Sequence, residues 1–319
     1  MTPSARGVRH GEPSGSDRPV PLDHGEQTVP WRALLAETVG LLREARVEAP
    51  SQEARWIIET ATGLEGTELL LGLDEPATVR GVAHLDALVA RRRAGEPLQY
   101  VLGRWGFRTL DLLCDRRVLI PRPETEQVVE VALAELDQVL LGRPGGHGAL
   151  VVDLGTGTGA IALSVAVERP GTDVWAVDRS ADAVAVARAN LAGLGMAGTR
   201  VRLVEGSWFE PLPEELRGRV DLVVTNPPYV AAHEDLPPAV ADWEPTEALV
   251  SGPTGLEAYE TLVAGVATWL APGGAFVAEI GATQAVGVVA LVIEAGLVDA
   301  RVLPDHAGLD RAIVARRPG

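Results

Sequence analysis

The residues best suited to chemistry lie in Thr225-Asn226-Pro227-Pro228-Tyr229, which ends the apolar run Val220-Asp221-Leu222-Val223-Val224. Two consecutive prolines donate no backbone N–H and fix φ near −65°. The chain must therefore leave a buried strand in a stiff, extended turn, and the Asn226 side chain is aimed at one place beyond the strand's carboxyl end. Ligands sit at that end of open α/β sheets. The chemistry this suits is handling a planar –NH2 group. Such a group has two N–H donors, and the Asn226 side-chain oxygen and a backbone carbonyl such as that of Pro227 can accept both. Its nitrogen would then turn a face toward an electrophile, with Tyr229 as an aromatic wall.

Such an elbow needs a sheet behind it, and the chain is long enough for two domains. It has 319 residues, 46% of them apolar. No lysine occurs, so all 28 basic residues are Arg. That excludes a Schiff-base lysine, a Walker-type loop and a Ser-x-x-Lys hydrolase. A formal net charge of −16 opposes general attraction to a phosphate backbone. Cys114 stands alone, which rules out an intrachain disulfide, and the His residues show no metal-ligand spacing, so no metal is expected. No apolar run approaches the roughly 20 residues that span a bilayer, and a cytoplasmic protein is expected.

Four segments are expected. Residues 1–29, rich in Gly, Pro, Ser and Arg, read as a disordered leader. Residues 30–95 carry helical periodicity. One helix runs from Trp31, a second follows a Ser51 N-cap, a turn lies near Leu69–Leu71, and a long helix spans Ala77–Arg93. Residues 96–120 read as a β-hairpin linker with strands Tyr100–Phe107 and Leu110–Val118. Residues 121–319 form the largest unit. It opens with a helix after Pro121 and Pro123, and a linker at Gly142–Gly148 follows. Strands and helices then alternate, which predicts a parallel sheet covered on both faces. The strands are expected at Leu150–Val152, Val174–Val177, Arg200–Val204, Val220–Thr225, Ala275–Ile280, Asp299–Leu303 and Arg311–Ala315. Helices are expected at Ala160–Arg169, Ser180 (as cap) to Leu191, Leu256–Leu270 and Thr283–Ala295.

The first of these strands runs into Asp153-Leu154-Gly155-Thr156-Gly157-Thr158-Gly159, a glycine loop before a helix that lets a ligand approach the backbone. With Ala160, and with Asp178 downstream, it also satisfies the dinucleotide pattern, so a nicotinamide enzyme competes at this point. Three features favour S-adenosylmethionine. Asp153 would repel a pyrophosphate yet can help position a cationic amino-acid end, Asp178 can accept both ribose hydroxyls, and Trp208 can frame an adenine. Asn226 then faces the methyl group.

Taken together, these motifs resemble the PrmC/HemK family of release-factor glutamine methyltransferases, from about Trp31 to Arg317. The markers are Gly95-Glu96-Pro97-Leu98-Gln99-Tyr100, Leu119-Ile120-Pro121-Arg122-Pro123-Glu124-Thr125-Glu126, the glycine loop, Ala176-Val177-Asp178-Arg179 and Asn226-Pro227-Pro228-Tyr229. Glu244 to Leu249 and Asp305 to Arg311 look like the family too, whereas Leu102 and Cys114 depart from its pattern. The glycine loop and the Asn-Pro-Pro-Tyr elbow recur in many amino-methyltransferases. The Arg122-centred stretch joined to a helical N-terminal unit is more particular.

The resemblance implies a class I S-adenosylmethionine-dependent methyltransferase fold, Rossmann-like with a seven-stranded sheet. It adds a small all-helical N-terminal domain that docks the protein substrate. The implied activity is methyl transfer from S-adenosylmethionine to the side-chain amide of the Gln in the Gly-Gly-Gln motif of class I peptide chain release factors. It also implies that Arg122 and Glu124 line or brace a substrate site with Asn226, Pro227, Pro228 and Tyr229. The cofactor would fall to Asp153, Gly155, Thr156, Gly157, Thr158, Gly159, Asp178, Trp208 and Asn226. Two alternatives remain. One is an adenine or cytosine amino-methyltransferase acting on nucleic acid, which would need a basic groove. The other is a non-catalytic binding module that keeps the cofactor as structure.

Overall fold

The computed structural model describes residues 28–141 and 148–319. The expected leader, except for residues 28 and 29, and all but the last residue of the expected Gly142–Gly148 linker lie outside the described residues.

The N-terminal helices are α1 (Trp31–Glu44), α2 (Pro50–Thr62), α3 (Gly66–Gly72), α4 (Val79–Arg93) and α5 (Leu98–Leu102). They close on a shared core that includes Leu42, Ile57, Ile58, Leu69, Leu85 and Val101. Two expectations are corrected here. The expected turn at Leu69–Leu71 is part of α3. Ser51 does not cap α2, because Pro50 occupies the first helical position and Ala49 precedes it. Proline's fixed φ and missing N–H suit that position. Two arginines at the end of α4 join it to its neighbours, Arg91 to α5 and Arg92 to α2. Arg91 donates to the carbonyls of Tyr100 and Val101 and to Glu96, and Arg92 pairs with Glu53.

A short hairpin follows, β1 (Arg104–Phe107) with β2 (Leu110–Leu113), in antiparallel register. It is shorter than expected, since residues 98–102 are helical and Gly103 ends that turn at φ 74°. The Tyr100 hydroxyl donates to the Val118 carbonyl at 2.6 Å, and Tyr100, Cys114, Val118 and Ile120 pack with Ala183 and Val186. Burial pushes the Cys114 thiol up to about 12, so it is a packing residue.

The remaining elements are α6 (Pro123–Leu141), β3 (Leu150–Leu154), α7 (Ala160–Glu168), β4 (Asp173–Asp178), α8 (Ala181–Ala192), β5 (Val201–Glu205) and β6 (Val220–Thr225). Then come β7 (Val230–Ala231), α9 (Pro238–Ala241), α10 (Thr246–Leu249), β8 (Val250–Gly252), α11 (Glu257–Trp269), β9 (Leu270–Glu279), α12 (Ala285–Glu294), β10 (Val298–Pro304) and β11 (Asp310–Arg316). Ser180 caps α8 as expected, its hydroxyl accepting from the Ala183 N–H. Seven strands form one sheet in the order β10-β11-β9-β6-β3-β4-β5. Six of the seven point the same way and β11 is antiparallel to both of its neighbours, so the sheet is mixed rather than wholly parallel. Each face carries its own apolar cluster, which is why strands such as Val220–Thr225 are buried throughout. This is the class I methyltransferase fold with an N-terminal helical domain. No helix among the described residues is long and apolar enough to cross a membrane.

The strand order reverses beside β3, whose neighbours are β4 and β6. A crevice opens above the carboxyl ends of strands at such a point.

Candidate active site

Two loops leave the sheet side by side here, the glycine loop after β3 and the proline elbow after β6. The Thr225 hydroxyl donates to the Leu154 carbonyl at 2.6 Å, joining the two strands at the last residue of each. Gly155 has φ 74° and Gly157 φ 55°, a region that side chains disfavour. The Gly155 and Thr156 N–H groups donate to the Val177 carbonyl, which folds the loop over β4.

The loop borders a cleft of about 780 Å³. Gly155, Gly157, Asp178, Trp208, Asn226 and Pro228 all face this cleft, with Arg117, Arg179 and Glu247 at its polar edge. Asp178 stands at the end of β4, where its carboxylate accepts from the Gly157 and Ser180 N–H groups, both at 2.9 Å. A carboxylate has about four acceptor positions, so two remain for a pair of hydroxyls. Burial raises the Asp178 pKa against the pull of those two N–H groups. Trp208 follows β5 with φ 46°, and its ring lies 3.9 Å from where a Cβ on Gly155 would sit.

Asp153, Thr156, Thr158 and Gly159 are placed behind this wall. Asp153 is fully buried, and its Oδ2 accepts from the Thr156 hydroxyl and the Ala162 N–H. Its Oδ1 is buried without a hydrogen-bond partner among the described residues. Burial pushes this carboxyl up to about 7, against those two hydrogen bonds. Thr158 is buried, with its carbonyl accepting from Asn190, and Gly159 is the N-cap of α7 with φ 86°. These residues shape the loop from beneath. A sulfonium nucleoside fits the cleft. It finds a free acceptor pair for vicinal hydroxyls, an indole plate and backbone without Cβ atoms.

A second cavity, of about 580 Å³, adjoins the first and is lined by Arg122, Pro227, Tyr229, Val230, Leu236, Val240 and Leu249. Asn226, Leu119 and Ala248 border both cavities. The Asn226 Nδ2 donates to Thr125 Oγ1 at 3.1 Å, and the Thr125 hydroxyl donates to Glu279 Oε2 at 2.6 Å. Tyr229 donates its hydroxyl to Glu279 Oε1 at 3.2 Å, while its carbonyl accepts from Gln284 at 2.8 Å. Glu279, at the end of β9, is 1% exposed, and burial raises its pKa against the Thr125 hydrogen bond and the nearby Arg311. Burial and Glu279 likewise push the Tyr229 phenol upward.

Arg122 pairs with Glu244 at 2.5 Å, and the other Glu244 oxygen accepts from the Ile120 N–H at 3.0 Å. The Arg122 stretch is thereby tied to the segment that carries α9 and α10, and the two close the cavities from above. Glu124 sits in the first turn of α6, half-buried, and borders neither cavity. Its neighbour Thr125 is the residue of that turn that reaches Asn226. Sequence reasoning missed Thr125 and Glu279 as site residues. The usable signal was a carboxylate ending an otherwise apolar strand, Ala275 to Glu279.

Known proteins supply the kinship. Residues 33–103 match the PrmC N-terminal domain, and residues 134–242 match the methyltransferase small domain. A release factor glutamine methyltransferase from Geobacter sulfurreducens is 39% identical over 89% of this chain and 96% of its own. One from Burkholderia pseudomallei is 41% identical over 92% and 99%. A solved protein-(glutamine-N5) methyltransferase (release factor-specific) from Alicyclobacillus acidocaldarius is 30% identical, over 63% of this chain and 95% of its own, with a TM-score of 0.37. The two near-full-length matches decide the matter: the chain belongs to the release factor glutamine methyltransferases, which use S-adenosylmethionine.

Proposed function

We propose that the protein transfers a methyl group from S-adenosylmethionine to the side-chain amide nitrogen of the Gln in the Gly-Gly-Gln motif of class I peptide chain release factors. The observation that carries this reading is the position of Asn226 in the partition between the two cavities. The first cavity would hold the cofactor, with Asp178 on the ribose, Trp208 against the adenine, and Gly155 and Gly157 under its chain. Asp153, Thr156, Thr158 and Gly159 would support that loop from below. The second cavity would take the glutamine side chain, with Tyr229 as a wall and Arg122 at the entrance. Pro228 would fix the elbow. Glu124 would act only through its charge at the start of α6.

An amide nitrogen is a weak nucleophile because its lone pair is delocalised. S-adenosylmethionine supplies a methyl group already activated by a positively charged sulfur. The protein need only hold the nitrogen in line, and well-oriented reactants recover roughly 7–11 kcal/mol of barrier. Asn226 Oδ1 and the Pro227 carbonyl would accept the two amide hydrogens. Those hydrogen bonds strengthen as positive charge grows on nitrogen, which favours the transition state over the ground state. Arg122 and Tyr229 are the titratable side chains bordering the second cavity. A guanidinium is no base, and a phenol whose pKa is raised is a poor one at neutral pH. The surplus proton would therefore leave to water after transfer.

The test is mass spectrometry of a release factor after incubation with enzyme and S-adenosylmethionine. One added methyl on the Gly-Gly-Gln glutamine is expected. Labelled methyl appearing in DNA or RNA instead would replace this reading with the nucleic-acid one. No transfer to any of these acceptors would favour the binding module.

A further inference from the structure

A side-chain amide offers a donor on one side and an acceptor on the other, so Asn226 serves its purpose in only one of two orientations. Seen by themselves, the Asn226 atoms do not fix which one. The surroundings do. Glu279 ends β9 in a nearly solvent-free position. Burial works against its charge, but the Thr125 and Tyr229 hydroxyls, one on each oxygen, and the nearby Arg311 favour the ionised form, and a carboxylate can only accept. Its Oε2 takes the Thr125 hydroxyl proton at 2.6 Å. With its single proton committed, Thr125 Oγ1 can act toward Asn226 only as an acceptor. Asn226 must then present Nδ2, at 3.1 Å, which turns Oδ1 the other way. The second Glu279 oxygen accepts from the Tyr229 hydroxyl, and the Tyr259 hydroxyl donates to the Glu279 carbonyl at 2.6 Å, bracing the strand end.

We propose that Glu279 and Thr125 are positioning residues that set the polarity of Asn226, so that its carbonyl oxygen and not its amide faces the acceptor nitrogen. This deepens the amide-methylation reading and rests on it. An Asn226 turned over would offer N–H to the substrate's N–H, repelling the group it should grip.

Thr125→Val keeps the shape and removes the acceptor, and Thr125→Ser restores it. With a release factor as substrate, Thr125→Val is expected to lower kcat about 10²-fold, the scale of a misaimed reacting group. KM for the release factor and Kd for S-adenosylmethionine should stay close to wild type, Tm should fall because Glu279 Oε2 loses its buried donor, and Thr125→Ser should recover most of both kcat and Tm. Added to Asn226→Ala, Thr125→Val should cost nothing more, because the residue it orients is gone. Three results would overturn the proposal: kcat unchanged in Thr125→Val, no recovery with Ser, or an equal loss in the Asn226→Ala background.

A readout independent of turnover separates this from the functional reading. The side-chain amide signal of Asn226, identified by its loss in Asn226→Ala, should show a nuclear Overhauser contact to the Thr125 methyl group. Its absence sinks the orientation whatever the substrate proves to be. Its presence in a wild-type protein inactive on release factor would sink only the functional reading.

Discussion

The two cavities that meet at Asn226 are built in different ways. On the cofactor side the contacts are mostly local or backbone-made. Thr156 reaches Asp153 across three residues, and Gly157 reaches Asp178 across 21. On the acceptor side the contacts are between side chains far apart in the chain. Arg122 to Glu244 spans 122 residues, Asn226 to Thr125 spans 101, and Thr125 to Glu279 spans 154. A pocket made of strand ends and glycines follows from the sheet. A pocket made of distant side chains exists only once α6, β6 and β9 have docked. Damage on the first side should show in cofactor affinity, and damage on the second in turnover or in recognition of the protein substrate.

Asn226→Ala tests this division at the shared wall. It should lower kcat by about 10²–10³-fold, as losing an oriented transition-state partner does, while the Kd for S-adenosylmethionine stays within a few-fold. A large loss of cofactor affinity with kcat preserved would move Asn226 to the other side. Asp178→Ala should do the reverse, weakening S-adenosylmethionine by about 10- to 100-fold in calorimetry, the scale of hydrogen bonds to a charged group. At saturating cofactor its kcat should recover much of the wild-type value.

Glu244→Gln keeps an acceptor for the Ile120 N–H and removes the charge facing Arg122. Because the guanidinium is 30% exposed, the effect should be modest. KM for the release factor should rise roughly three- to tenfold, with cofactor Kd unchanged.

The smallest effect is on stability. Asp153 goes from an ordinary carboxyl value of 3.8 to about 7 in the folded chain. Between those values the native state keeps a proton that the unfolded chain has released. Stability of the cofactor-free protein should therefore fall as pH rises through that window and level off above it. Asp178 and Glu279 are shifted in the same direction by burial. Thermal melts from pH 4 to 8 should show a decline attributable to Asp153, flattened in Asp153→Asn. An unchanged slope would mean that Asp153 is not protonated in that window.

The same contrast explains what could be read from the sequence. The glycine loop, Asp178 and the proline elbow each announce themselves within a few residues of a strand end; Gly155, Gly157, Asp178, Asn226 and Pro228 border the first cleft, and Pro227 and Tyr229 the adjoining cavity. Thr125 carries no local signal, and Glu279 carries only that of a carboxylate closing an apolar strand; nothing in the sequence pairs them, because only the sheet brings the first turn of α6 beside the end of β9. The resemblance points to Glu124, but its neighbour Thr125 makes the contact. Residues 100–102 were expected in a strand since a short apolar run fits either period, and Gly103 decides it as a helix end. The small elements β7, α9, α10 and β8 were not foreseen. Their few residues carry no sustained periodicity and are held largely by tertiary contacts, such as Glu244 with Ile120 and Arg122.

The stitch from the Thr225 hydroxyl to the Leu154 carbonyl has a kinetic meaning. Reactants carried on separate arms would jitter independently and meet correctly only by chance. On the proposed reading, the donor's cradle and the acceptor's hook hang from adjacent rungs of one ladder, so a thermal displacement of one drags the other along, and their spacing survives motions that would blur a looser machine.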